Sequence, residues 1–138
     1  MIECKCVIQS EETSMLKIVA VAVGGSIGAT TRYLVSTWAA GRFGTAFPYG
    51  TLIVNIVGCF IIGAFMTAAT ERFIVNPYWR LIITVGFVGG LTTFSSFSYE
   101  TFKLMEDGGI TMVMYNLLGN FILGFFATWL GIAAVRLL

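Results

Sequence analysis

Charged side chains divide this chain into long apolar runs. Residues 18–31 carry no charge, Arg32 interrupts, and 33–41 continue uncharged to Arg42. Residues 43–70, 81–99 and 109–135 are uncharged as well. A helix that crosses a bilayer needs about 20 predominantly apolar residues. The pattern therefore predicts four spans, at about 16–39, 49–69, 81–102 and 111–135. Strand-type alternation of the outer-membrane-barrel kind is missing. A cleaved signal would give one such run followed by a polar chain, whereas here all four persist. The fold class is an all-α membrane protein with four transmembrane helices in a single domain, 15–138. Residues 1–14 form a polar leader, either an extension without a fold role or part of the fold. Connections of about ten residues, punctuated by Gly44, Pro48 and Pro77, leave no room for an extramembrane domain.

Composition sharpens this picture. Of 138 residues, 57% are hydrophobic and 11% charged, where soluble domains carry about a quarter charged. The formal net charge of +1 leaves no basic footprint for nucleic acid. The chain has no His, which excludes Ser-His and Cys-His nucleophiles and His-based metal sites. Its three Cys make neither a disulfide framework nor a zinc spacing. These are not the features of an enzyme.

Size and charge balance bear on assembly. Gly24-x-x-x-Gly28 and Gly86-x-x-x-Gly90 are small-residue pairs that let helix backbones approach closely. Four helices enclose little interior, so two copies are needed to surround a site. With both termini on one side, Lys5, Lys17, Arg72, Arg80 and Arg136 face Arg32, Arg42 and Lys103 across the membrane. An excess of five over three is too small to fix orientation by the positive-inside rule. The expectation is dual topology and an antiparallel homodimer, which builds from one chain the inverted symmetry that larger transporters carry internally; the alternative is a single orientation, weakly set.

The third span holds the most informative stretch, 86–98. Gly89-Gly90 weakens a helix, and Thr92, Thr93, Ser95 and Ser96 add hydroxyls that compete for backbone bonds. Arg80 and Lys103 flank the span and place Thr92 near its middle. One reading is a helix broken at mid-membrane, as in discontinuous helices that bind ions. The other is an intact helix with a small polar packing face. Phe94 and Phe97, three apart, share a face beside Ser96; a ring's positive edge attracts an anion without a fixed charge. Thr51 and Asn55 on the second span, and Asn116 and Asn120 on the fourth, are i, i+4 pairs at membrane depth. They are either interhelical glue or the wall of a polar conduit. No Asp or Glu lies inside a span unless Glu100 is counted. Arg32 is open to three roles: snorkelling, pairing with Glu100, or raising the local potential for anions.

Three motifs, in order, resemble the Fluc/CrcB family of small fluoride channels. They are Gly24-Gly25-x-x-Gly28-Ala29-x-x-Arg32-Tyr33, Pro48-Tyr49-Gly50-Thr51-Leu52-x-Val54-Asn55-x-x-Gly58, and Gly86-Phe87-x-Gly89-Gly90-x-Thr92-Thr93-Phe94-Ser95-Ser96-Phe97. The similarity runs from Met15 to Leu138 and implies a dual-topology homodimer in the cell (inner) membrane with two antiparallel fluoride pores. It also implies a structural sodium ion at the dimer centre, held by the main-chain carbonyls of Gly89 and Thr92 of both subunits. Phe94 and Phe97 become pore-lining rings and Asn55 an amide donor to fluoride, with Thr51, Ser96, Asn116 and Asn120 along the pore. The fourth span departs from the family, which often has Tyr and then Ser where this chain has Asn116 and Asn120. The implied activity is passive export of fluoride. A dual-topology multidrug antiporter needs a carboxylate in the first span, and 18–41 has none. A membrane assembly factor would explain the glycines but not the Thr-Thr-Phe-Ser-Ser-Phe stretch.

Overall fold

Four helices long and apolar enough to cross a membrane run back and forth in a computed structural model of the chain. The structure describes the backbone of 2–107 and 109–138 and the side chains of 14–107 and 109–138. The reading of 1–14 as a leader therefore rests on side chains that, up to residue 13, lie outside the described residues. Helix α1 is Ile2–Phe43 and α2 is Tyr49–Thr67, continued by a π-helical turn at Ala68–Arg72. The third span begins with α3, Pro77–Arg80, and passes through π-helical Leu81–Val88 into α4, Gly89–Leu91. It resumes as α5, Phe94–Asp107. The fourth span joins α6, Ile110–Leu118, to α7, Gly124–Leu137, through π-helical Gly119–Leu123.

The connections are shorter than the apolar runs alone imply, because the helices carry on into charged sequence. The second connection is only 73–76. Outside the apolar core a helix still satisfies its own backbone, and exposed ends gain ion pairs such as Lys103–Glu106 at 3.3 Å. Pro77 opens the third span as a first-turn proline, with the Asn76 carboxamide accepting from Tyr78 N–H at 2.9 Å.

Helix α2 packs most extensively on α7, and α1 on the third span. The glycine pairs act as their spacing suggests: a Cβ on Gly24 or Gly28 would overlap the main-chain carbonyls of Ile82 or Phe87. Only a minority of each span is buried within one chain. Trp38, Phe125 and Trp129 are among the many large apolar side chains left exposed, which suits a bilayer as solvent.

Candidate functional site

Mid-way along the third span the helix stops. Thr92 leaves helical geometry at φ −81°, ψ 157°, and α5 restarts at Phe94. The intact-helix reading of 86–98 is thereby set aside. A break at this depth strands backbone groups that lipid cannot satisfy, and side chains take them up. Thr93 N–H, which in a continuous helix would donate to Gly89, donates instead to Asn55 Oδ1 at 2.9 Å. Asn55 Nδ2 returns a bond to the Thr93 carbonyl at 3.3 Å. Thr93 Oγ1 accepts from Ser96 N–H at 3.1 Å and so caps the restarted helix. Gly58 lets the break settle onto α2, since a Cβ there would overlap Thr92 Cγ2.

The two half-helix ends have opposite character. Carbonyls converge where α4 ends, and the N-terminus of α5 presents the positive end of its dipole. Beside that N-terminus lies a cavity of about 330 Å³ lined by Asn55, Asn120, Phe94, Phe97, Phe121 and Cys59, among others. Phe94 and Phe97 have ring centroids 5.7 Å apart at 53°. Phe97 also meets Phe121 edge-on, 6.2 Å apart at 84°. Phe97 is buried while Phe94 stands open. On the facing span Asn120 Oδ1 accepts from Asn55 Nδ2 at 2.9 Å, joining the two amides in one wall.

Other expected residues fall elsewhere. Thr51, one turn from Asn55, belongs to a second cavity of about 540 Å³ at the end of the bundle. There its hydroxyl donates to Glu100 Oε1 at 2.9 Å, and Glu100 Oε2 is buried without a partner among the described residues. Asn116 is fully buried behind Asn120 and lines neither cavity. Ser96 is held by Thr93, hydroxyl to hydroxyl at 3.1 Å, beside the first cavity rather than in its lining. Arg32 does not pair with Glu100, because the two bond to different partners: Arg32 Nη1 donates to the Thr92 carbonyl at 3.3 Å. Sequence reasoning missed Phe121 and Cys59, single apolar residues on spans full of them, and Thr93, whose cap role needs the break to be known.

The break also leaves oxygen atoms whose chemistry can be compared with that of a cation site. The described residues contain no cluster of three or more His, Cys, Asp or Glu, so carbonyls are the available hard oxygen donors. The Gly89 carbonyl has lost Thr93 N–H to Asn55, and Gly89 lies exposed on the surface of the single chain. Among the described residues the Thr92 carbonyl carries only the long bond from Arg32. These donors fit a weakly charged cation.

Residues 19–132 match the family described as "CrcB-like protein, Camphor Resistance (CrcB)". Among similar proteins, a "Fluoride-specific ion channel FluC" of Solibacter usitatus is 46% identical over 121 residues, covering 88% of this chain and 99% of the relative. A protein of the same description from Sulfurihydrogenibium sp. is 47% identical, with coverage of 90% and 100%. One from Trichlorobacter lovleyi is 50% identical, with coverage of 79% and 87%. With matches of that length spanning all four helices and the break within the third, the chain belongs to the CrcB family.

Proposed function

We propose that this protein is a fluoride-selective passive channel of the cell membrane, exporting fluoride from the cytoplasm. The observation that carries the reading is the broken third span. It brings the Asn55 and Asn120 amides and the Phe94 and Phe97 rings to one cavity in a chain whose relatives bear the name of fluoride channel. The conduit needs no fixed positive charge. The Asn55 amide donor, the ring edges and the α5 N-terminus each offer partial positive charge to a small anion, in place of hydration water. No energy source is needed. Neutral HF crosses lipid and dissociates inside, and a negative interior drives a monovalent anion out with about 2.3 kcal/mol per 100 mV.

The working unit in this reading is a dual-topology, antiparallel homodimer. Its support is the near-even Lys/Arg count and the shallow burial of every span in one chain. A structural sodium ion at the dimer centre belongs to the same reading, held by the carbonyls of Gly89 and Thr92. Its charge would satisfy backbone oxygens that the break leaves without main-chain N–H partners. The chain's own part is to aim those carbonyls, through Thr93 on Asn55 and Thr92 over Gly58.

The test is ion efflux from proteoliposomes, read with fluoride and chloride electrodes. Rapid fluoride efflux with chloride retained is the expected result. Equal loss of both ions, or of neither, would overturn it.

A further inference from the structure

The carboxamides of Asn55, Asn120 and Asn116 form a chain of hydrogen bonds whose direction is fixed by the backbone at both ends. Thr93 N–H can only donate, so the Asn55 atom it meets at 2.9 Å is the oxygen. Asn55 Nδ2 must then face Asn120, and the Asn120 atom at 2.9 Å is again the oxygen. Asn120 Nδ2 accordingly points back along its helix, to the Asn116 main-chain carbonyl at 3.0 Å and to Asn116 Oδ1 at 3.1 Å. That carbonyl can only accept, which fixes the Asn120 flip a second time and independently. Asn116 Nδ2 donates on to Thr101 Oγ1 at 2.9 Å. The Thr101 hydroxyl hydrogen is already committed to the Phe97 carbonyl at 2.6 Å, so its oxygen is free to accept.

We infer that Asn116 and Thr101 are positioning residues, which give the Asn120 NH₂ a second, side-chain anchor and so hold its oxygen on Asn55. The inference rests on the fluoride-channel reading for its consequence, and it assigns a role to Thr101, which lies outside the lining of either cavity. Asn116 is 0% exposed, so within this chain it reaches the cavity only through Asn120. The relay also decides which donor the anion takes. Asn55 uses both amide hydrogens internally, at 2.9 Å to Asn120 and 3.3 Å to Thr93. The longer bond is the one an arriving anion replaces. The shorter one stays in place, because releasing it would leave Asn120 Oδ1 unpaired.

Thr101→Val keeps the shape and removes the acceptor at the far end of the relay. Asn116 Nδ2 is then buried without a partner, its amide is no longer held with Oδ1 towards Asn120, and the Asn120 NH₂ keeps only its main-chain anchor. Thr101→Ser keeps the acceptor. In proteoliposomes, Thr101→Val should lower fluoride efflux about tenfold, equivalent to about 1.4 kcal/mol, and reduce the preference over chloride. Thr101→Ser should stay near the parent. Adding Thr101→Val to Asn116→Leu should cost nothing further, because the relay is already cut. Side-chain amide resonances of Asn55 and Asn120 in a ¹⁵N-labelled, dimeric sample provide a readout free of transport. They should shift in Thr101→Val and hold still in Thr101→Ser. Parental flux and unshifted amides in Thr101→Val overturn the relay, as does equal impairment by Val and Ser. No fluoride flux in the parent, together with amide shifts in Thr101→Val, overturns the channel reading and leaves the relay standing.

Discussion

Replacing Phe94 or Phe97 with Ile separates a ring that packs from a ring that binds. The two sites differ in cost. Phe94 is 72% exposed in the single chain, and Phe97 is 6% exposed. A swap of similar volume costs under about 1.5 kcal/mol in a packed core. Phe97 stands to lose in addition its edge contact with Phe121 at 6.2 Å, and such aromatic pairs contribute roughly 0.5–1.5 kcal/mol. The stability loss is thus small at 94 and about 0.5–3 kcal/mol at 97. The effect on transport follows from a different quantity. Ile supplies bulk without a quadrupole. A charge on a ring is worth roughly 0.5–2 kcal/mol in the better-measured cation case, and a similar loss at the edge lowers flux about two- to thirtyfold per ring. Phe94→Ile is the cleaner variant, since nearly all of its effect should lie in transport. The assay is fluoride efflux from liposomes, with the folded, monodisperse state of each variant checked against the parent by gel filtration. Near-normal flux through both Ile variants would return the rings to packing and leave the amides as the only defensible ligands.

Three further outcomes follow from the same geometry. Asn55→Leu leaves Thr93 N–H and Asn120 Oδ1 unpaired, so thermal melting in detergent should show a loss of roughly 2–6 kcal/mol; an unchanged midpoint counts against the bridging role. Gly58→Ala places a methyl on Thr92 Cγ2 and should destabilise by about 1–3 kcal/mol. Thr92→Ser removes that carbon and should restore most of the loss, and an additive double mutant would contradict the contact. In a background without the native cysteines, Thr45→Cys in the first connection should be labelled by an impermeant reagent in only part of the population; complete labelling from one side refutes dual topology.

Much of the architecture could be read from residue order. Four uncharged runs demand four helices because lipid tolerates only backbone that satisfies itself, and the structure has four. Gly89-Gly90 followed by Thr92-Thr93 placed the weak point of the third span to within a few residues, because local propensity decides where a helix can fail. Partnerships across helices were another matter. Thr51 and Asn55 share a face by spacing, yet they enter different cavities, since a helical turn rises about 5.4 Å and the end of the bundle is a different environment from its middle. Asn116 and Asn120 have the same spacing, but one is sealed inside and the other reaches Asn55. That division follows from how the fourth span, with its π-helical Gly119–Leu123, is turned against α2. Arg32 could have met Glu100 by charge alone. Thr51 holds that carboxylate instead, and the guanidinium goes to the Thr92 carbonyl. Sequence determines which segments must be helical and where one is weak enough to break, because those are local balances of backbone and solvent; that the weak point is a break is decided by the fold. Which polar group finds which is set by helix rotation and the close approaches that glycines permit, and only the folded chain determines these.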